Sequence, residues 1–525
     1  MILQFGAHQE LQLLVLLASG AALLVLAGPL RIPYPILLVL GGLLIGFGPG
    51  VPKVTMPPEV VLVGVLPPLL YLQAYSTGVR ELRRNIRPIS LLAIGLVIVT
   101  MAGVAVVAHA VAGLSWPEAF ILGAVVSPTD PIAATSIAER LGVPRRLIDI
   151  VEGESLVNDG TALVLLRTAI TAAVAGSFSL WDATGRLVLN IVGGIAVGLV
   201  VGYLIRRLRR PLDNPPLEVT IAFLTGYFAF LPASVLGVSG VLAVVTAGVY
   251  MGWYTPELTT VQTRLTGQGF WEVLTFLLNV LLFGLVGLQL RPIIDSMTGG
   301  GGWSLLWEGA VIVAAVIAIR ILLAFPIAYL PRYLFPRIRE RDPYPPWQYP
   351  VVISWAGIRG AVSLAAALAL PVDVPGRDLI VFLTFAVILA TLVGQGLTLP
   401  SLIRVLHLPA DVGAGREDAK ARIKAAEAAL ERLDELAAED WVRDDTAERL
   451  RGTYRFRQTR FRARLDGQDD DGVEERSQQF QRLRRELLSA ERDAVLHLRN
   501  EGVITEEVMQ RVQRDLDLED SRLDA

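Results

Sequence analysis

Apolar residues run in long blocks through the first 410 positions of this chain, broken by short clusters of Arg, Pro and Gly. A helix needs roughly 20 mainly apolar residues to span a bilayer. Thirteen blocks approach that length: 11–30, 34–50, 59–77, 88–113, 117–138, 148–175, 186–206, 216–232, 236–253, 270–290, 303–332, 349–371 and 378–407. The pattern predicts an all-α, polytopic membrane body over 1–410. Beyond it the apolar blocks stop. Residues 415–440 are rich in Ala, Glu, Arg and Leu, the mixture of a solvated helix with charge pairs one turn apart. A break at Gln468–Gly472 separates it from helical spacing over 474–500 and 505–522. Thr505 is placed to cap the last helix, with Glu506 and Glu507 at the positive end of its dipole.

Charge sharpens this division. Of the first 410 residues 46 are charged, against 51 of the last 115. Loop charge also sets an orientation, because Lys and Arg favour the cytoplasmic side. Numbered from the first span, the odd loops carry 17 arginines and the even loops only Lys53, Arg186, Arg291 and Arg377. The alternation places the N-terminus outside and 411–525 in the cytoplasm, as a charged helical domain that is either a solubilising tail or a regulatory one. The N-terminus has no positive stretch ahead of its first apolar block, so that block predicts a retained helix in the plasma or inner membrane.

Composition removes several functions. The chain has no cysteine, and its four histidines are scattered, so thiolate chemistry and Cys- or His-type metal centres drop out. A net charge of −3 without a basic stripe argues against nucleic acid. No catalytic constellation or phosphate-binding Gly loop is present, so neither an enzyme nor an ATP-driven pump is indicated and no cofactor is expected.

Ionisable residues inside spanning segments are expensive and point to function. The fifth segment contains Ser127-Pro128-Thr129-Asp130-Pro131. Each proline lacks an N–H and its ring crowds the carbonyl four residues back, so the helix should unwind there. Such backbone is tolerated in a membrane only where it is buried in protein or lines a polar cavity. The freed carbonyls, the Ser127 and Thr129 hydroxyls and Asp130 would then suit a small cation. In the sixth segment Ser155 and Asp159 are one turn apart, as are Glu154 and Asn158. A proton and a cation could compete for Asp159, whereas Asn158 cannot titrate. The plainer readings are a packing kink in the first case and helix-joining polar contacts in the second. In the twelfth segment glycines flank Arg359, which suggests a second interrupted helix. A buried Arg needs a partner, and Glu154 is the expected one, in a structural ion pair. The two broken segments lie seven helices apart and thus run in opposite senses, the pattern of inverted repeats meeting at a midplane site.

Three stretches, SPTDP (127–131), EGESLVNDG (152–160) and GIRGAVS (357–363), together with LPPLLY (66–71) and GVSGVLAVV (237–245), resemble the cation:proton antiporter superfamily. They are most similar to its sodium/proton exchanger branch of electroneutral antiporters. The resemblance covers about 1–407. It implies a 13-helix body with two crossing broken helices, a homodimer, and exchange of Na⁺, with Li⁺ or K⁺ as further candidates, for H⁺ in pH and sodium homeostasis. By matching motif it implies that Asp159 carries cation and proton in turn beside Asn158, that Thr129 and Ser155 complete the Na⁺ shell, and that Glu154 and Arg359 form the structural pair. One departure stands out. Many relatives have an acid in the third helix shortly after the LPP stretch, where this chain has Gln73. The rival readings are a K⁺/H⁺ antiporter, a sodium-coupled symporter of a small organic solute, and a membrane sensor with the tail as effector.

Overall fold

The computed structural model describes residues 33–47, 58–175, 180–296, 302–408, 412–466 and 472–521. All regular structure among them is helical. The chain divides into two compact units, Met1–Ala410 and Asp411–Ala525.

In the first unit the long helices are α1 (Tyr34–Gly46), α2 (Val60–Ser76), α3 (Ile86–Val111), α4 (Trp116–Val126), α5 (Ile132–Arg140), α6 (Arg145–Ala175) and α7 (Leu180–Arg209). They continue with α8 (Pro215–Val235), α9 (Gly240–Leu258), α10 (Val261–Leu288), α11 (Gly302–Leu334), α12 (Gln348–Trp355), α13 (Ala361–Leu368) and α14 (Arg377–Leu406). Helix thus occupies the described part of the second to thirteenth apolar blocks, and the first block, 11–30, lies outside the described residues. Among the described residues, six helices are each long and apolar enough to cross a bilayer. The fifth and twelfth blocks are not continuous: each is a pair of short helices, α4 with α5 and α12 with α13.

Local chemistry explains the boundaries. Ser115 and Glu118 form a capping box at the start of α4, with the Ser115 N–H donating to Glu118 over 2.8 Å. Pro128 and Pro131 end α4 and delay the start of α5. Small residues let neighbouring helices approach closely, as expected where lipid supplies no hydrophobic drive between helices. Gly42 on α1 faces Gly284 and Gly287 on α10, and a Cβ added to Gly42 would lie 2.5 Å from the Gly284 carbonyl oxygen. Large apolar side chains instead point outward: Val188, Leu189 and Val200 on α7, and Trp303, Trp307 and Leu322 on α11. Exposed apolar faces of this kind suit contact with lipid chains.

An ionic cluster ties the Arg-rich ends of several helices together. Asp342, in the segment between α11 and α12, accepts from Arg87 at 2.5 Å, Arg332 at 2.7 Å and Arg146 at 2.8 Å. Partial burial alone would raise the Asp342 carboxyl, but the hydrogen bonds and charges of Arg146 and Arg332 outweigh it and hold the group below its ordinary range.

The second unit holds α15 (Val412–Leu436), α16 (Asp444–Asp466), α17 (Val473–Asn500) and α18 (Glu506–Ser521). Helix α16 is absent from the sequence pattern because its run of arginines and scattered aromatics shows no apolar stripe. Ala419, Ile423 and Phe461 form a small core between α15 and α16. Gly472 adopts the left-handed conformation that starts α17, and the Thr505 hydroxyl accepts from the Val508 N–H at 3.3 Å to cap α18.

The Asp342 cluster gives a test. Asp342→Asn leaves three arginines facing an amide and should lower stability by about 1–3 kcal/mol. A carboxyl held low in the folded state stabilises above its unfolded value, about 3.9, and loses that contribution as pH falls through the folded value. Thermal unfolding in detergent should therefore show the same wild-type advantage at pH 7 and pH 5, shrinking only below about pH 4. An advantage that already fades between pH 7 and pH 5 contradicts the assignment.

Candidate functional site

The two interrupted helices meet where their non-helical segments touch. The Asp130 N–H donates to the Ile358 carbonyl at 2.7 Å, joining the break at 127–131 to the break at 356–360. A break inside a membrane bares helix ends of both signs. Here each sign meets a side chain of opposite charge. The Asp130 carboxylate accepts from the Ile132 N–H at 3.0 Å, at the start of α5. It also lies against Gly360, the residue before α13, where an added Cβ would come within 2.5 Å of the Asp130 Cβ. Arg359 serves the carbonyl ends: its Nε donates to Val126 at 3.1 Å, at the end of α4, and its guanidinium also bonds Gly357 just beyond α12. The Arg359 N–H is received by the Thr391 hydroxyl at 3.1 Å, within a π-helical turn of α14.

Helix α6 packs its polar residues against this junction. Glu154 is almost fully buried and forms a two-pronged salt bridge with Arg320 of α11, at 2.5 and 2.9 Å. Arg320 also donates to the Ile353 carbonyl in the last turn of α12, at 3.0 Å. The Thr129 hydroxyl accepts from Asn158 at 2.8 Å and reaches Glu154 at 3.4 Å. Ser155 donates to the Thr129 carbonyl at 2.8 Å. The chain Arg320–Glu154–Thr129–Asn158 therefore fixes the unwound segment onto α6.

Beside this network lies a cavity of about 40 Å³. Thr129, Asp130, Ser155, Asp159, Gln73 and Ser363 supply its polar lining, with Pro128, Pro131, Leu66 and Leu69 among the rest. A single water occupies about 10–15 Å³ on such a measure, so the space suits one small ion with a water or two. Asp159 is buried and forms no salt bridge with a described residue. Carboxylate, hydroxyl and amide oxygens form a hard donor set, suited to Na⁺ rather than to a transition metal. Two larger cavities of the first unit are described as well. One of about 680 Å³ is lined by Tyr71, Tyr75, Arg209, Gln268 and Trp271, while the other side of α2 lines the small cavity. The second, of about 260 Å³, is lined by Arg167, Ser234 and Ser239 and shares Leu66 with the small one.

The model of the transmembrane sodium/hydrogen exchanger family matches residues 14–405. An uncharacterized Na⁺/H⁺ exchanger of Mycobacterium tuberculosis is 38% identical, over 97% of this chain and 96% of its own. The chain belongs to the sodium/hydrogen exchanger family. The Na⁺/H⁺ antiporter ApNhaP of Aphanothece halophytica, 32% identical, matches 93% of this chain and 92% of its own. The sodium proton antiporter MjNhaP1 of Methanocaldococcus jannaschii is similar in fold, with a TM-score of 0.59 at 20% identity, over 73% of this chain and 98% of that one. The family model stops at 405, yet the mycobacterial relative aligns through most of the tail.

Within this exchanger body the residues singled out in the sequence gather closely. Thr129, Asp130, Ser155, Asp159 and Gln73 line one cavity; Asn158 stands behind it, bonded to Thr129. Ser127 does not line it and instead donates to the Gly123 carbonyl at 2.6 Å. One expectation is corrected. Glu154 pairs with Arg320, not Arg359, because α11 brings Arg320 alongside α6 while Arg359 is taken up by the carbonyl ends of α4 and α12. Gly357 makes room for this, since a Cβ there would strike the Arg320 side chain. The sequence also counted Arg209 among loop charges. It is buried against Glu218 at 3.4 Å, and Thr263 donates to Glu218 at 3.1 Å.

A double-mutant cycle separates the two pairings. Glu154→Gln and Arg320→Gln should each cost about 3–5 kcal/mol, since each leaves a charge buried without its partner. Their effects should couple by about 2 kcal/mol or more in thermal unfolding. The cycle of Glu154→Gln with Arg359→Gln should couple more weakly. Stronger coupling to Arg359 would restore the pairing expected from the sequence.

Proposed function

We propose that this chain is a secondary antiporter that exchanges Na⁺ for H⁺ across the cell membrane, with both bound in turn by Asp159. The observation that carries the reading is the small oxygen-lined cavity at the helix junction, in which Asp159 is the one carboxylate not already engaged. Asp130 is held at two helix N-termini, and Glu154 is held by Arg320. Thr129 and Ser155 complete the ion shell, and Asn158 keeps Thr129 in place without titrating. Relatives named Na⁺/H⁺ antiporters support the choice of ions. Gln73 brings a neutral amide to the cavity, so the shell holds less negative charge than one with an acid there, and Li⁺ or K⁺ remain candidate substrates.

One carboxylate exchanging one cation for one proton moves no net charge, so the exchange is electroneutral. The 17 to 4 bias of loop charge supports a tail in the cytoplasm and an N-terminus outside, on a body of thirteen spans. The body is the transport domain, 1–410, and 411–525 its cytoplasmic attachment. We place the protein as a homodimer in pH and sodium homeostasis, by likeness to its family. The rival reading, sodium-coupled symport of a small organic solute, draws on the 680 Å³ cavity with its aromatic, Arg and amide lining. In the antiport reading that cavity is a vestibule on the Arg-rich side.

Everted vesicles test the reading. Adding NaCl, with no organic solute present, should collapse a preformed proton gradient, and Asp159→Asn should reduce the rate more than tenfold. Such a loss corresponds to more than about 1.4 kcal/mol. Because proton and cation need the same deprotonated group, the half-saturating Na⁺ concentration should rise as pH falls. Dependence on an added organic solute would favour symport, and full activity of Asp159→Asn would move the ion to another group.

A further inference from the structure

Two cavities of the first unit share the helices α2 and α10, and one buried amide stands between them. On α10, Thr275 and Phe276 line the cavity of about 680 Å³. Leu282, about two turns on, lines the small cavity of Asp159. On α2 the small cavity is lined from Leu66 to Gln73 and the large one from Tyr71 to Ser76. Asn279 falls between Phe276 and Leu282, about one turn from each. It is 1% exposed and lines neither cavity. Its Nδ2 donates to the Tyr34 hydroxyl of α1 at 3.0 Å, and Tyr34 belongs to the wall of the large cavity.

A helix-joining hydrogen bond explains only half of this amide. Tyr34 holds one end, while the other, Oδ1, is buried and accepts from no described residue. A buried carbonyl oxygen without a donor is costly. Nor is the bond needed to bring α1 against α10, because Gly42, Gly284 and Gly287 already let the two backbones touch. A second oxygen repeats the pattern. Thr275 lies one turn before Asn279, on the same face of α10. Other threonines in the spans, such as Thr161, Thr168 and Thr225, donate to the carbonyl four residues back in their own helix. The Thr275 hydroxyl oxygen is buried, makes no such bond and has no partner among the described residues. Two unpaired oxygens thus follow one another along α10, from the large cavity toward the small one.

Neutral oxygens in this order suit the passage of a hard cation rather than its storage. They replace part of its hydration shell, as carbonyl and hydroxyl ligands do, without the charge that would hold it there. A site on an ion's route must bind well enough to admit the ion and weakly enough to release it. An apolar side chain at 279 would offer nothing for the water lost, and a carboxylate would compete with Asp159. We infer that Asn279, held by Tyr34, is the gate between the large cavity and the Asp159 cavity, and that its Oδ1 and the Thr275 hydroxyl pass the cation from one to the other. The inference rests on the reading of Asp159 as the ion's destination.

The chain has no cysteine, which makes the test direct. The full-length Asn279→Cys variant is reconstituted in proteoliposomes and exposed, in chloride-free buffer, to Ag⁺, a small thiol-reactive cation. Ag⁺ should leave wild-type exchange unchanged and reduce that of Asn279→Cys at least tenfold. Asn279→Leu, similar in size but without an oxygen, should slow exchange at least tenfold. Its Na⁺ affinity, read by calorimetry in detergent, should change less than threefold, because the Asp159 cavity keeps its lining. Asn279→Ser, which retains an oxygen, should exchange at least threefold faster than Asn279→Leu. Asp159→Asn is run alongside. If it exchanges normally the reading of Asp159 fails, while Ag⁺ block of Asn279→Cys still puts residue 279 on the cation's route. Asn279→Cys that exchanges and ignores Ag⁺ from both sides overturns the inference, as does Asn279→Leu at the wild-type rate. So does a loss of rate matched by an equal loss of Na⁺ affinity, which would make Asn279 part of the ion's resting shell.

Discussion

Four helix ends meet inside the membrane body, and backbone groups there have no water to satisfy them. Two of these ends present N–H groups and two present carbonyls. Asp130 answers the first pair and Arg359 the second, while the Asp130–Ile358 backbone bond fastens the two breaks together. Were either charge missing, the unpaired ends would each leave polar groups exposed to a low-dielectric interior, where they cost several kcal/mol. The unwound segments, and so the cavity between them, exist because these two side chains neutralise the junction.

That arrangement also distributes the acids. Asp130 is occupied by the junction itself, and Glu154 by Arg320, which in turn holds the end of α12. Thr129 links the Glu154 pair to Asn158 and so fixes the unwound segment against α6. What remains beside the cavity is Asp159, buried, close to hydroxyl and amide oxygens, and engaged by no salt bridge among the described residues. The small volume favours a bare or lightly hydrated ion over an organic solute. In the proposed reading the scaffold thereby separates structural charge from exchangeable charge within a few residues of sequence.

Much of this was legible along the chain. Two prolines around Asp130, glycines around Arg359, and the one-turn spacing of Ser155 and Asp159 are local signals with local causes, and the structure has them together. The Arg320 pairing was not legible, because nothing in the sequence of α11 tells which helix its face will meet. A single Arg in an apolar run and a Glu 166 residues away could each find several partners. Ser363 was quoted in its motif without being singled out, although its place in the first turn after the second break brings it to the cavity. Helix α16 escaped because arginines, not apolar residues, repeat along it. The large cavity beside α2 arises from three or more helices and has no signature in any one of them.

The claim at the centre is that a single carboxylate, Asp159, carries cation and proton alternately, with the nearby charges fixed in structural roles. Initial Na⁺-driven proton flux in proteoliposomes, clamped with valinomycin at 0 and −100 mV, tests it most directly. A net charge moved per cycle would feel about 2.3 kcal/mol over that step. Equal rates at the two potentials are the predicted result. A rate that follows the voltage would contradict it, and would mean that a second group, Asp130 first, also takes up or releases a proton.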